Sequence, residues 1–325
     1  MASGFFPEFP VPYYIGLDLG GTFIKGGLLD EKNTVLARHS IPTEGHISPD
    51  HVMDRLELLG RDVAQRAGIA WDNIAGLGVG TPGPTTAEGV VMMAPNLAGW
   101  KDVPLQSGLA ERTGLNVKVV NDANAAAYGE FLAGAGKDGD VRHMILLTLG
   151  TGVGGGVIIN NELFIGPHGA GAELGHSILT LGGRPCGCGQ RGCLEQYASA
   201  TAIVREAKRR LGDGEESTLP VEMTAKDVFE FAQGGDKLAD SIIDEACRYL
   251  GAGIVNFIHA FDPQVIVLGG GVANAGEPLL ERVRRHIEDQ MWHVAPIYSR
   301  LVAAELGNDA GFIGSAGLCR GRVMT

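Results

Sequence analysis

The chain has 325 residues, 45% of them hydrophobic and 20% charged, which is enough for two domains that each bury a core. A formal net charge of −12 argues against nucleic-acid and anionic-membrane partners and leaves small molecules as the expected ones. The opening MASGFFPEFPVPYY lacks a basic n-region and is broken by prolines, so no signal peptide is expected, and the longest apolar run, residues 144–159, is too short to span a bilayer.

The 50 glycines, spread through apolar runs, imply many strand-to-loop turns where backbone amides approach phosphates. The first is IGLDLGGTFIKGGLLDEKN, from Ile15: a strand, a Gly/Thr turn and a second strand ending in a polar turn. Gly20 and Gly21 offer amides to a phosphate, Thr22 a hydroxyl, and Asp18 a carboxylate for a hydrated Mg²⁺; a plain hairpin would need none of these. Residues 52–67 read as an amphipathic helix, 74–80 as a strand running into TPGP, 117–121 as a strand, and 123–133 as a helix of small residues. Asn121 and Asp122 stand at a strand's carboxyl end, where α/β folds bind ligands. Asp122 is either a helix N-cap or a carboxylate placed to take a proton from a substrate hydroxyl.

Ile145 lies 130 residues after Ile15 and opens ILLTLGTGVGGGVIINNEL, a second hairpin of the same pattern, which implies a duplicated domain. Gly150, Thr151 and Gly152 form the matching turn, and neither turn has the spacing of a P-loop. Glu173 stands three residues before His176, and His176, Cys186, Cys188 and Cys193 follow an H-x9-C-x-C-x4-C pattern. That donor set is the one a closed tetrahedral zinc site requires, and crowded cysteines in an odd total of five suit a metal in a reducing cytosol better than disulfides. Glu195 follows the last of these cysteines by two residues. Residues 198–211 and 238–259 read as helices, Asp262-Pro263 turns the chain into VIVLGGG, and Cys247 and Cys319 read as inert thiols. The architecture expected is α/β with two similar lobes and a ligand cleft between them.

DLGGT with Lys25, GTPGP, NDANAAAYGE, TLGTGVGGG, the ExGH step, CGCGQRGCLE and VLGGGV occur in the order found in the sugar kinases of the ROK group, and the chain most resembles that group's bacterial glucokinases. The resemblance runs from about Tyr14 to the last turn, and its cysteine block is the most specific part. It implies a two-lobed, actin-like, hexokinase-type (ribonuclease H-like) ATPase fold. The small lobe would hold residues 1–121 and a returning C-terminal helix at about 308–325; the large lobe would hold residues 122–307 with the zinc loop 176–195.

The resemblance further implies transfer of phosphate from ATP to the 6-hydroxyl of glucose, with Asp122 as general base. Asn121, Glu173, His176 and Glu195 would bind sugar hydroxyls, and Gly83 and Asn96 would line the far side of the sugar. Asp18, Gly20, Gly21, Thr22, Lys25, Thr151 and Gly152 would hold the phosphates and Mg²⁺, and Gly270 and Gly271 would lie under the nucleotide. The zinc would be structural, fixing His176 and Glu195 against the sugar. Fructose, N-acetylmannosamine, N-acetylglucosamine and allose are the alternative substrates, and a sugar-sensing transcriptional regulator is the alternative class. A cytoplasmic dimer or tetramer is the expected assembly.

Overall fold

The computed structural model describes residues 12–294, 296–321 and 323–324. Residues 1–11, on which the expected absence of a signal peptide mainly rests, lie outside the described residues. No described helix is long and apolar enough to cross a membrane.

In the first half the chain forms β1 (Tyr13–Leu19), β2 (Phe23–Leu29), β3 (Val35–Pro42), α1 (Pro49–Arg66), β4 (Ile74–Thr81), β5 (Val91–Met93), β6 (Lys101–Val103), α2 (Leu105–Thr113), β7 (Val117–Asn121) and α3 (Asp122–Ala133). It continues through β8 (Met144–Leu149), β9 (Val153–Ile159), β10 (Glu162–Phe164), α4 (Glu195–Ala198), α5 (Ala200–Gly212), α6 (Ala225–Gln233) and α7 (Lys237–Phe261). The last elements are β11 (Val265–Gly269), α8 (Glu277–Gln290), β12 (Arg300–Ala303), α9 (Ala310–Leu318) and β13 (Val323–Met324).

The duplication expected from one pair of hairpins extends to whole sheets. The first sheet runs β3-β2-β1-β4-β7, and the second runs β10-β9-β8-β11-β12 in the corresponding order, with β13 added outside β10. Each is a three-stranded antiparallel meander continued by two parallel strands. The two turns differ by one residue, because Leu19 pairs with Ile24 but Leu149 with Val153. Alternating residues such as Ile15 and Leu17 are fully buried and pack with Leu56, Leu59 and Leu105 of α1 and α2 in one core, while α5 to α8 cover the second sheet in another.

Two local departures from the expected boundaries have clear causes. The helix expected at 198–211 is split, because the Ser199 hydroxyl caps α5 by accepting from the Ala202 amide and so ends α4 before it. The C-terminal helix expected at about 308–325 runs only from Ala310 to Leu318. A Cβ on Gly321 would collide with the Tyr128 hydroxyl, so glycine lets the chain pass close to it, and Val323 and Met324 then pair with Leu163 and Phe164 at the open edge of β10.

α9, sequence AGFIGSAGL, is buried at every position, as a helix apolar all round must be. It meets its neighbours backbone to backbone. Added Cβ atoms on Gly16 of β1, Gly78 of β4 and Gly314 of α9 would collide with the carbonyls of Phe312, Ser315 and Ala125, and one on Gly129 of α3 with that of Ala310. α9 is thus wedged between the first sheet and α3. Gly314→Ala is expected to destabilise the protein by about 3 kcal/mol or more, since neither backbone can retreat from the methyl. Gly212→Ala, in open space at the end of α5, should be neutral or stabilise by about 0.4–1 kcal/mol. Denaturant midpoints of the two variants check this, and a neutral Gly314→Ala would show that α9 is not packed this way.

Candidate functional site

Strand ends and glycine turns converge on one cleft of about 450 Å³, lined by Asp18, Lys25, Asp122, Thr151, Gly152, Glu195 and Gly270, together with Gly307, Asn308 and Gly311. Seven of the residues singled out by sequence therefore share one wall system. Asp18 stands one residue before the end of β1 and faces Lys25 across the β1–β2 ladder. Asp122 opens α3, and the structure settles its local role: the N-cap is Asn121, whose side chain accepts from the Ala123 amide at 2.9 Å. Asp122 also accepts from that amide, at 2.8 Å, while its side chain remains open to the cleft.

The remaining expected residues, Gly20, Gly21, Thr22, Gly83, Asn96, Asn121, Glu173, His176 and Gly271, are not among the residues that line this cleft. The Asn121 amide group donates to the Gly83 carbonyl at 3.2 Å, tying the end of β7 to the turn after β4. Gly83 has a φ of +83°, and a Cβ there would collide with the Met93 carbonyl, so glycine is required in that turn. Gly21 faces Asn96. The Gly20 amide is committed to its own turn, donating to the Phe23 carbonyl at 3.0 Å, which leaves Gly21 and the exposed Thr22 as the outward-facing part of that turn. Gly271 lines a neighbouring pocket of about 410 Å³ with Thr224, Lys226, Phe229, Gln233 and Asn274, none of which the sequence reading picked out. The Thr224–Asp227 capping box that starts α6 is visible in sequence as TAKD, but its chemistry marks a helix start and not a ligand wall.

Charge dominates the cleft. Asp18 is raised to about 6, first by burial and then by the charge of Asp122, with Lys25 opposing. Burial also raises Asp122, against the pull of the Ala123 amide and the Asn121 side chain. Glu173 is raised by burial, with His176 opposing and the charges of Asp122 and Glu195 adding to the rise. Among the described residues lining the cleft, Lys25 alone carries a permanent positive charge. A carboxylate so under-compensated as Asp18 suits a hydrated divalent cation, and Mg²⁺ takes one or two such carboxylates together with phosphate oxygens.

The cysteine block folds back on itself through an isolated bridge between Ile178 and Cys193 and another between Pro185 and Arg191. His176 Nδ1 lies 3.7 Å from Cys186 Sγ, Cys188 Sγ lies 3.8 Å from Cys193 Sγ, and all four donor atoms fall within 4.8 Å of one another. A tetrahedral zinc with ordinary Zn–N and Zn–S bonds has edges of about 3.6 Å and about 3.8 Å, so the donors fit the ion. Glu195 links this loop to the second glycine turn: its Oε2 accepts from the Val153 amide at 3.2 Å and its Oε1 lies 3.5 Å from Cys186 Sγ. A Cβ on Gly152 would collide with the same carboxylate.

Duplicated sheets, a cleft lined by Asp18 of β1 and by the second glycine turn, and a carboxylate at the head of the connecting helix define the two-lobed actin-like class to which hexokinase-type sugar kinases belong. The chain belongs to the ROK family, whose model matches residues 14–322. It is 39% identical over 322 residues to a glucokinase of Halalkalibacterium halodurans, covering 95% of each chain. Among solved structures, a ROK hexokinase from Thermus thermophilus is 36% identical with a TM-score of 0.80, covering 94% of this chain and 96% of that one. A ROK family glucokinase from Streptomyces griseus, solved in complex with glucose and AMPPNP, is 34% identical with a TM-score of 0.76, covering 95% and 99%.

The donor geometry leads to a direct expectation. Protein purified without added metal should carry about one zinc per chain by elemental analysis, because closed structural sites hold the ion tightly. Cys188→Ser, at the exposed corner of the cluster, should lose it while far-UV circular dichroism is retained. Metal-free wild-type protein with an ordered loop would contradict the assignment.

Proposed function

We propose that the protein is an ATP-dependent glucokinase that phosphorylates the 6-hydroxyl of glucose. The observation that carries the reading is the placement of Asp122. Asn121 is the N-cap of α3, and the Asp122 carboxylate lines the cleft with Asp18, Lys25 and the turn of Gly150, Thr151 and Gly152. The names and full-length coverage of the relatives supply the sugar and the donor.

In this reading the sugar lies against Glu173, His176 and Glu195 on one side and against Asn121, Gly83 and Asn96 on the other. Asp122 accepts the proton of the 6-hydroxyl, and that oxygen attacks the γ-phosphorus in line. Such base assistance is worth roughly 10²–10⁴-fold, and alignment of the two substrates by closure of the lobes, 1–121 and 122–307, supplies much of the rest. Lys25 and the amides and hydroxyls of Gly21, Thr22, Thr151 and Gly152 meet the phosphate charge. Mg²⁺, when bound, supplies neutralisation of the phosphoryl oxygens, with Asp18 as its protein partner. The nucleotide runs over Gly270 and Gly271 toward the pocket formed by Thr224, Phe229 and Gln233.

Zinc, when bound, supplies a fixed cross-link with no open coordination position. His176 and Glu195 are the two sugar-facing residues it orients, one as a ligand and the other two residues beyond one. A thiolate-rich metal site together with the unpaired thiols of Cys247 and Cys319 supports a reducing, cytoplasmic setting, and the family resemblance supports a dimer or tetramer.

Asp122→Asn is expected to lower kcat by roughly 10²-fold or more while glucose affinity changes by no more than a few fold, since the amide still hydrogen-bonds the hydroxyl but takes no proton. In the wild type kcat/KM should climb with pH through the raised Asp122 value, because only the ionised carboxylate is a base. A coupled ADP-release assay across glucose, mannose, fructose and N-acetylated hexoses, with titration calorimetry for glucose, checks both. A variant that keeps more than about a tenth of kcat, or a panel led by another sugar, would overturn the reading.

A further inference from the structure

Glu130, in the last turn of α3, takes part in none of the chemistry above. It is only 1% exposed, and a carboxylate buried near the C-terminal end of a helix, where the backbone dipole is already negative, is unfavourable unless donors surround it. Three do. Oε2 accepts from the amides of Ala135 at 2.9 Å and Glu305 at 3.1 Å, and Oε1 accepts from the amide of Leu306 at 2.8 Å. Gly134 leaves the room, since a Cβ there would collide with Oε2. One side chain thus joins both passages between the sheets: the exit of α3 toward β8, and the strap that leads from β12 back to α9.

That strap enters the cleft. Gly307 and Asn308 line it beside Gly311, and Asn308 Oδ1 accepts from the Lys25 ammonium at 3.4 Å. Gly307, with a φ of +53°, makes the bend that turns Asn308 inward. The strap's other ties are the pairs Lys137–Glu305, at 2.7 Å, and Arg38–Asp309, at 2.8 Å, whose basic side chains are more than half exposed and therefore screened by solvent. Glu130 is the buried anchor among them.

We propose that Glu130 is a positioning residue for phosphoryl transfer: it fixes the strap 305–309 so that Asn308 holds the Lys25 ammonium where the nucleotide phosphates bind. The proposal rests on the kinase reading above. Gln at this position keeps the shape but turns one acceptor into a donor facing amide donors, so the strap should shift while the fold survives.

The test combines steady-state kinetics with calorimetric titration of glucose and of magnesium AMPPNP. Glu130→Gln is expected to raise KM for ATP roughly tenfold and to lower kcat, with glucose affinity within about twofold of wild type. Asn308→Ala, at an exposed position, should raise KM for ATP by about threefold or more with an unchanged melting temperature. Equal loss of glucose and nucleotide affinity in a folded Glu130→Gln protein would mark a merely structural residue and overturn the proposal. If Glu130→Gln does not fold, Asn308→Ala decides alone, and nucleotide parameters within about twofold of wild type overturn the proposal. Wild-type protein that binds neither glucose nor the nucleotide would instead refute the kinase reading itself.

Discussion

The half-buried Asp18 carboxylate, held in one cleft with Asp122, sets the terms for the rest of the molecule. Burial first, and then the charge of Asp122, raises the cost of ionising Asp18, and burial raises that of Asp122, so the ligand-free protein holds the two carboxylates in one cleft because the scaffold does not yield. The scaffold is α9. Its glycine contacts fix β1 and β4 on one side and α3 on the other, and Gly311 stands so close to the Asp18 carboxyl that a Cβ there would lie 2.8 Å from Cγ. A site of this kind stores unfavourable electrostatics that a cation and phosphate-binding groups relieve on binding.

The cysteine loop serves the opposite wall of the cleft. Glu195 reaches from the loop to the amide of Val153, so the wall expected to touch the sugar and the turn expected to touch the phosphates share one carboxylate. Movement of the loop would therefore be felt in both subsites. A metal cross-link, were His176, Cys186, Cys188 and Cys193 to hold an ion, would limit that movement without a hydrophobic core, which the loop is too short to build.

Local chemistry made much of this legible in the sequence. Hairpins with glycine turns, the cluster of His176, Cys186, Cys188 and Cys193, and the Asn121-Asp122 pair at a strand end all lie within short windows, and the structure brings Asp18, Lys25, Asp122, Thr151, Gly152, Glu195 and Gly270 to one cleft. Long-range packing hid the rest. Glu130 meets Glu305 and Leu306 from 175 and 176 residues away, so nothing near it in sequence distinguishes it from a surface glutamate on a helix of alanines. Asn308 sits in GNDAGF, which reads as a turn before a helix and reveals nothing of Lys25. The end of α9 is hidden from the sequence for the same reason: Tyr128 and the free edge of β10 explain why the chain leaves the helix after Leu318.

Ligand-linked proton release tests the electrostatic account most directly. Asp18 sits at about 6 in the ligand-free protein against 3.8 for an ordinary aspartate, so its protonated form favours the fold below the lower value and that contribution disappears as pH rises through the higher one. A cation held beside it would lower the value again and expel the proton. Calorimetric titration of magnesium AMPPNP in the presence of glucose, in buffers of different ionisation enthalpy, should therefore show proton release near pH 6 that exceeds that of Asp18→Asn by about half a proton per chain, with the excess almost gone at pH 8. Equal proton counts for the wild type and Asp18→Asn at pH 6 would contradict the claim that these carboxylates hold the cleft under electrostatic load.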